Sequence, residues 1–463
     1  MLMEYAVRSC LLRRLFLSLA ALSAASACAG SADPATPPPK VSGNQWSLVV
    51  LPDSQGYNQT YDMGGTFNGR GFQYKDRWPK QIEWIVKNRE LYNIRFAASV
   101  GDHVQNCGFA AGKADADPNS DDAKRRQEWL NAVAGINIFH KDGDPDKPAL
   151  VPYGLAIGNH DYHSQDGKSL ASREYVQFLG PGRFRDENGR IKKNVEAWYK
   201  GDDLGWECKK DGEVVATGAG RNSWQVFDGG GRTWLHLALE CGVTDGAIAW
   251  AKEVIAANPG WPIILTTHSF LNGDGKLLTA DLMGRTVQRP NPTNDAQSIF
   301  DKLVKDEPRV FLILCGHTYH KKHVVMKNAK GGDVHVMLAC FHLFTAGGRI
   351  DPAELSPTSP YKGEIDKDRN GSGWMGLMVF DPDAKKIRWF TYSPVIDVWA
   401  VNRPAADYKG TTFPVGESVI EEFAFDFDVR FEAATQAAKP TERHHPGPTH
   451  ECDLQIGPHG QAG

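Results

Sequence analysis

With 463 residues, 41% of them hydrophobic and 23% charged, the chain has a globular composition and ample length for a core, which excludes wholesale disorder. Its formal net charge of -4 lacks the basic footprint of a nucleic-acid binder, so no nucleic acid is expected as a stable partner. Thirteen Trp and 47 Gly suggest a β-containing, loop-rich protein.

Arg8, Arg13 and Arg14 precede an apolar run from Leu15 to Ala25, and small residues follow at Ala25-Ser26-Ala27. Together these read as an export signal over residues 1–27. The run is short for a bilayer-spanning anchor. Cleavage after Ala27 leaves Cys28 first. Ala25 to Cys28 resembles a bacterial lipoprotein signal, with Ala25 where Leu is usual. A soluble exported form, periplasmic or secreted, is therefore weighted slightly above membrane attachment through a lipidated Cys28. The other cysteines past the signal are Cys107, Cys208, Cys241, Cys315, Cys340 and Cys452, none in Cys-x-x-Cys spacing. In an oxidising compartment some could pair. Cys315 sits in an apolar run and reads as a buried small hydrophobe.

Beyond a proline-rich linker over 28–44, one folded domain is expected over 45–433. Trp46 to Leu51 is a β-branched and Leu run that stops at Pro52-Asp53-Ser54-Gln55. The spacing of Trp78, Ile82, Ile85 and Val86 predicts a helix from about Tyr74 to Leu91. Phe96 to Val100 closes on Gly101-Asp102. A second helix is predicted from about Asp121 to His140, with acidic residues at its start as the helix dipole favours. The next strand, Tyr153 to Ile157, ends in Gly158-Asn159-His160-Asp161. Strand, helix, strand, helix, strand is the order of a parallel layered α/β sheet.

A polar, Gly-rich stretch over about 162–222 reads as an insertion near the mouth of the site, with one helix near Ser172 to Leu179. Ser223 to Asp228 and Thr233 to Leu239 flank Gly229-Gly230-Gly231 as a hairpin. A helix over Ala247 to Ala257 leads into Trp261 to Thr267 and then His268. A further insertion, about 272–294, precedes a helix near Ala296 to Lys305, and Arg309 to Cys315 ends in Gly316-His317. Strands are predicted at His323 to Met326, Val334 to Ala339, Met375 to Phe380, Lys386 to Tyr392 and Glu421 to Val429. Residues 434–463, rich in Pro, His and Gly, read as a flexible tail.

Five apolar segments thus end in potential metal ligands: Asp53, Asp102, Asn159, His268 and His317. Gly101, Gly158 and Gly316 directly precede three of them. Singly, each has an ordinary explanation: a turn start for Asp53, a cap for Asp102 or Asn159, a satisfied buried histidine for His268. Jointly they mark the place where open α/β sheets bind ligands, just beyond the carboxyl ends of strands. Carboxylate, carboxamide and imidazole donors suit divalent Mn, Zn or Fe. Two such ions about 3.5–4 Å apart, bridged by a carboxylate, can clamp a phosphate and activate water at neutral pH.

Asp53-x-Gln55, Gly101-Asp102-x-x-x-Asn106, Gly158-Asn159-His160-Asp161, His268 and Gly316-His317 resemble the calcineurin-like metallophosphoesterases. The resemblance spans roughly Trp46 to Tyr392, and the Asp-x-Gln in place of Asp-x-His is similar to an exported subfamily. It implies two packed mixed β-sheets flanked by helices, a four-layer α/β sandwich, with one or two metals at the strand ends. It implies hydrolysis of a phosphate mono- or diester substrate by metal-activated water. In that scheme Asp102 bridges, and Asp102, Asn159, His268 and His317 hold one metal. Asp53 and the Gln55 amide oxygen belong to the other. His160 assists phosphate binding or protonates the leaving group, oriented by Asp161.

Where the family has Gly-His-x-His, this chain has Gly316-His317-Thr318-Tyr319, with a histidine displaced to His320. Tyrosinate suits Fe(III), but an ordinary pKa of about 10 makes it a poor Zn or Mn ligand. Either Tyr319, or His320 through a bulge, or neither completes the Asp53 side. In the last case the chain is a catalytically weakened phosphate- or metal-binding protein of the same fold. Asn106 either orients the site by hydrogen bonding or caps its loop, and His103 and His163 flank the ligands on what read as polar loops.

Overall fold

Trp46 opens the first strand and lies in the seam between two sheets. It stacks on Phe380 at 3.9 Å between ring centroids and leans on Trp234 of the facing sheet at 4.8 Å. Phe96 and Phe227 stack across the same seam at 4.5 Å. Fully buried rings of this size each contribute about 1.5–3 kcal/mol of apolar burial.

The computed structural model describes residues 41–60, 76–162, 173–203, 220–279, 293–341 and 373–395, with short strands elsewhere. These fall in one unit, Pro38–Gly463. The expected export signal, the linker up to residue 40, parts of both insertions, His163 and nearly all of the tail lie outside the described residues.

In chain order, β1 is Trp46–Leu51, α1 Arg77–Asn88, β2 Ile94–Ser99, α2 Asp121–Asn137 and β3 Tyr153–Leu155. Next come α3 Arg173–Phe178, β4 Tyr199–Asp202, the hairpin of β5 Ser223–Gly229 and β6 Arg232–Leu239, α4 Asp245–Ala257 and β7 Ile263–Thr267. α5, Ala296–Ile299, continues as a π-turn over Phe300–Val304. β8 Val310–Cys315, β9 Lys321–Lys327, β10 Asp333–Ala339, β11 Met375–Asp381, β12 Lys386–Ser393, β13 Val398–Trp399 and β14 Ile420–Ala424 complete the two main sheets.

Each main sheet has seven strands. In the first, β1, β2 and β3 run parallel, and β11 and β12 continue beyond β1 in antiparallel fashion. In the second, β6, β7, β8 and β10 run parallel, with antiparallel β5 on one side and β9 on the other. Both are mixed sheets flanked by helices, the α/β architecture expected. Alternation along β1 explains the layering: Trp46, Leu48 and Val50 enter the inter-sheet core, while Val49 and Leu51 join the core beneath α1 and α2. A third core lies between the second sheet and α4 and α5.

The helices form where their apolar spacing demands. In α1, Trp78, Ile82 and Ile85 are buried, and Pro79 stands in the first turn, where its missing N–H costs nothing. α2 starts on Ser120, whose hydroxyl accepts from the Ala123 amide at 3.1 Å.

The stretch 162–222 corrects one expectation. It is not confined to the mouth of the site, because β4 is the edge strand beside β5 and Phe184, Val195, Trp198 and Tyr199 are buried in the first core. Phe184 stacks on Tyr199 at 4.1 Å, and Trp198 packs on Tyr153 at 4.9 Å. Aromatic residues scattered among polar ones concealed this from periodicity. Within the tail, Thr449–Glu451 pairs in parallel with Glu207–Lys210.

Glu128 on α2 fastens the loop that follows β2. Fully buried, it accepts from the Thr60, Gln105 and Asn106 amides and from the Asn106 side chain, at 2.8–3.2 Å. Burial raises its carboxyl from 4.5 to about 7, against the pull of those donors. The folded state therefore holds a proton in that window that the unfolded chain has released. Stability from this group is complete below the ordinary value and is lost as pH rises through the folded one, on the order of 3 kcal/mol in all. Glu128→Gln is expected to flatten the fall in Tm between about pH 4.5 and 7. Equal slopes in the two proteins, measured by thermal denaturation, would show the carboxylate ionised throughout.

Candidate metal centre

The carboxyl ends of the parallel strands of both sheets meet at one edge. Asp53 follows β1, Asp102 β2, Asn159 β3, His268 β7 and His317 β8. The glycines ahead of three of these residues permit the crowding. Gly101 has φ +108°, and a Cβ there would stand 2.6 Å from the Gly158 nitrogen. A Cβ on Gly158 would collide with the Asp102 carboxylate, and one on Gly316 with the Asp53 carboxylate. Asp102 and His317 themselves hold left-handed backbone, φ 53° and 69°. Such conformations cost of order 1 kcal/mol in a non-glycine residue and concentrate at functional sites.

Four donor atoms converge from these loops. Asn159 Oδ1 lies 2.8 Å from His317 Nδ1 and 3.0 Å from His268 Nε2, and His268 Nε2 lies 3.2 Å from Asp102 Oδ2. His268 Nδ1 donates to the Val100 carbonyl at 2.9 Å, which leaves Nε2 as the inward lone pair in the neutral ring. Asn159 Oδ1 and a carboxylate oxygen are acceptors only. Converging lone pairs need a cation or a proton between them. Bonds of about 2.1 Å at right angles place neighbouring ligand atoms about 3.0 Å apart, so the spacing fits a coordination shell. Asp53, Asp102 and His268 also form a buried group whose ligand atoms all lie within 4.8 Å of one another, and that group could hold a metal ion.

The electrostatics describe the same need. Burial alone would raise the Asp102 carboxyl, but the charges of His268 and His160 outweigh it and hold the carboxyl well below the usual range. Burial pushes His268 down, and Asp102 and Asp53 reverse this, so that a proton sits where a metal would. Burial lifts the Asp53 carboxyl to about 6. His317 falls to about 3 through burial and the adjacent His268, which keeps its ring neutral.

His160 is joined to the group through its amide, which donates to Asp102 Oδ1 at 2.8 Å. Its orienting partner corrects the expectation. Asp161 does not hold the His160 ring; Gln105 does, its carbonyl lying 3.1 Å from Nδ1. Asp161 is fully buried and accepts from the Gly158, His103 and Val104 amides and from His103 Nδ1, at 2.7–3.3 Å. Its carboxylate is consumed in bracing the loop after β3 against the loop after β2. His103 is accordingly buried rather than solvated, and its other ring nitrogen meets Ser99 Oγ at 3.2 Å. Asn106 reaches Glu128, so it fastens its loop and does not touch a ligand.

On the Asp53 side, Gln55 is buried and its Nε2 lies 3.0 Å from Asp102 Oδ2, while its Oε1 has no hydrogen-bond partner. His320 stands outside the close group of Asp53, Asp102 and His268, and so does Cys340. Tyr319 is 38% exposed. The His320 ring lies against Gly273, with Nδ1 2.7 Å from the Lys321 carbonyl. The sequence reading passed over the group that does reach Asp53: Cys340, directly after β10, with Sγ 2.9 Å from Asp53 Oδ2. The signal was present in the apolar run Val334 to Ala339, whose next residue can bind metal. Among the described residues Cys107, Cys241, Cys315 and Cys340 are buried and in no disulfide, and Cys315 lies in the core as expected.

No family model matches the chain. It is 23% identical over 363 residues to "Uncharacterized protein YvnB" of Bacillus subtilis (strain 168), covering 78% of this chain and 20% of that protein. The chain thus spans about a fifth of the length of the curated relative it matches. Among solved structures it is similar to "GAP50 the anchor in the inner membrane complex of Plasmodium", with TM-score 0.38, 12% identity, and 88% of this chain and 100% of that one covered. It is also similar to the calcineurin-like phosphoesterase YfkN from Bacillus subtilis, with TM-score 0.28, 12% identity, and 81% and 92% covered. Likenesses at these scores establish no activity.

Proposed function

We propose that the chain is a metal-dependent phosphoesterase that hydrolyses a phosphate mono- or diester at the meeting edge of its two sheets. The observation that carries this reading is the convergence of Asp102 Oδ2, Asn159 Oδ1, His268 Nε2 and His317 Nδ1, separated by 2.8–3.2 Å along successive contacts. Their acceptor chemistry fits a divalent Mn, Zn or Fe ion. Such an ion, when bound, supplies Lewis-acid stabilisation of phosphoryl charge and lowers the pKa of water.

The chain's own residues supply the rest. Asp102 and Asp53, both buried, set the negative charge that retains the cation, and Gly158 and Gly316 keep room for their carboxylates. His160 is the proton carrier. Its Nδ1 is held by Gln105, 3.1 Å from the carbonyl and 3.2 Å from the side-chain nitrogen, so Nε2 is the atom left to exchange a proton with the leaving oxygen or to meet a phosphoryl oxygen. Gln105 is in turn fixed by Glu128, and Asp161 keeps the loops bearing Asp102 and His160 in register. Export, as a soluble or Cys28-anchored protein, belongs to the same proposal and rests on residues 1–28.

A second reading, a metal- or phosphate-binding protein with weakened turnover, is favoured by one observation: where two further ligands are expected, His320 stands outside the close group and Tyr319 is exposed. The two readings separate by experiment. Metal-stripped protein supplied with Mn, Zn or Fe(II) is expected to hydrolyse nitrophenyl phosphate mono- or diesters. Bound metal without turnover on either class would establish the second reading.

Asp102→Ala and Asn159→Ala are expected to lose at least about 100-fold in kcat/KM together with bound metal, measured by elemental analysis. Full activity in either would remove that residue from the centre. His160→Ala is expected to retain metal while kcat falls by about 10²–10⁴-fold. An unchanged kcat across the pH profile would show that His160 transfers no proton.

A further inference from the structure

We propose that Cys340 is the protein ligand completing the Asp53-side metal position, taking the place that Tyr319 and His320 leave unfilled. The inference rests on the metal-centre reading above and extends it to a second ion. Three observations meet at this point. Cys340 follows β10, a parallel strand beside β8, so the same edge of the sheet that presents His317 presents its thiol. Its Sγ stands 2.9 Å from Asp53 Oδ2, and both residues are fully buried. Gln55, 2% exposed, sits within hydrogen-bond distance of Asp102 while its own Oε1 has no partner. A buried amide oxygen left unpaired costs about 1–3 kcal/mol, a penalty that a cation at this position removes.

The geometry on this side brings together the Asp53 carboxylate and the Cys340 thiol, with the Gln55 amide, whose Oε1 is unpaired, beside Asp102. Cys315, in the same sheet, lies in the core with its Sγ 3.6 Å from the Met337 carbonyl. Cys340 instead faces a carboxylate that already accepts from the His317 amide at 3.0 Å. On metal binding the S–H bond breaks, its proton passes to solvent, and the sulfur lone pair goes to the ion; no electron changes hands. A thiolate in this shell selects against Mn and Mg and toward Zn or Fe(II), in contrast to the all-oxygen and nitrogen set around Asn159.

The test uses the full chain, stripped of metal and titrated with Co(II), with uptake measured by elemental analysis and ligation by absorption. Wild type is expected to take up two equivalents and to develop a near-ultraviolet thiolate-to-cobalt charge-transfer band. Cys340→Ser is expected to lose the band and to bind the second equivalent at least about tenfold more weakly. Asn159→Ala is expected to keep the band while its remaining site fills. Zinc-loaded wild type provides a measurement that requires no variant: X-ray absorption should show a sulfur shell at about 2.3 Å. Cobalt uptake with no charge-transfer band, a band that persists in Cys340→Ser, or zinc without a sulfur shell overturns this proposal and leaves the Asn159-side centre standing. No uptake of cobalt or zinc at all overturns both.

Discussion

Acceptor atoms forced together in a buried place set the terms for this fold. Asn159 Oδ1, His268 Nε2 and Asp102 Oδ2 stand about 3 Å apart along successive contacts with no donor of their own to offer one another. Without a cation the strain is relieved by a proton on His268. With one it becomes coordination. The loops could relax outward and end the conflict, were they not tied elsewhere: His268 to the Val100 carbonyl, Asp161 to the Gly158, His103 and Val104 amides, and the loop after β2 to Glu128. These braces have ordinary hydrogen-bonding chemistry, and their function is to keep an unfavourable arrangement in being.

The two sheets make that arrangement possible. Trp46, Phe96, Phe227, Trp234 and Phe380 fill the seam between them, and both sheets direct their parallel strands to the same edge. Ligands from β1, β2 and β3 thereby meet ligands from β7 and β8, far apart in the chain. The glycines at 101, 158 and 316 are the local condition for this approach, because side chains there would occupy the space of a carboxylate or a neighbouring backbone.

The site is unequal in its two halves. Around Asn159, atoms of His317, His268 and Asp102 follow one another at 2.8–3.2 Å. Around Asp53 the chain carries Gln55, an exposed Tyr319 and a His320 turned onto its own neighbour, while an unforeseen thiol lies against the carboxylate. His160 belongs between them, attached through its amide to Asp102 and steered by Gln105. Any account of turnover must begin from that asymmetry.

Sequence by itself determined the strand ends, the glycine-plus-ligand pairs, the helices with clear apolar spacing and the mixed α/β class. Each is written locally, in a period of alternation or in two adjacent residues. Tertiary structure alone decided who bonds to whom. That Asp161 holds His103 and not His160, that Asn106 serves Glu128, that Phe184 and Trp198 enter a core from a polar stretch, and that Cys340 reaches Asp53 are all pairings between distant segments. A side chain's choice of partner depends on which loops the packed sheets bring within about 3 Å. No local pattern encodes that distance.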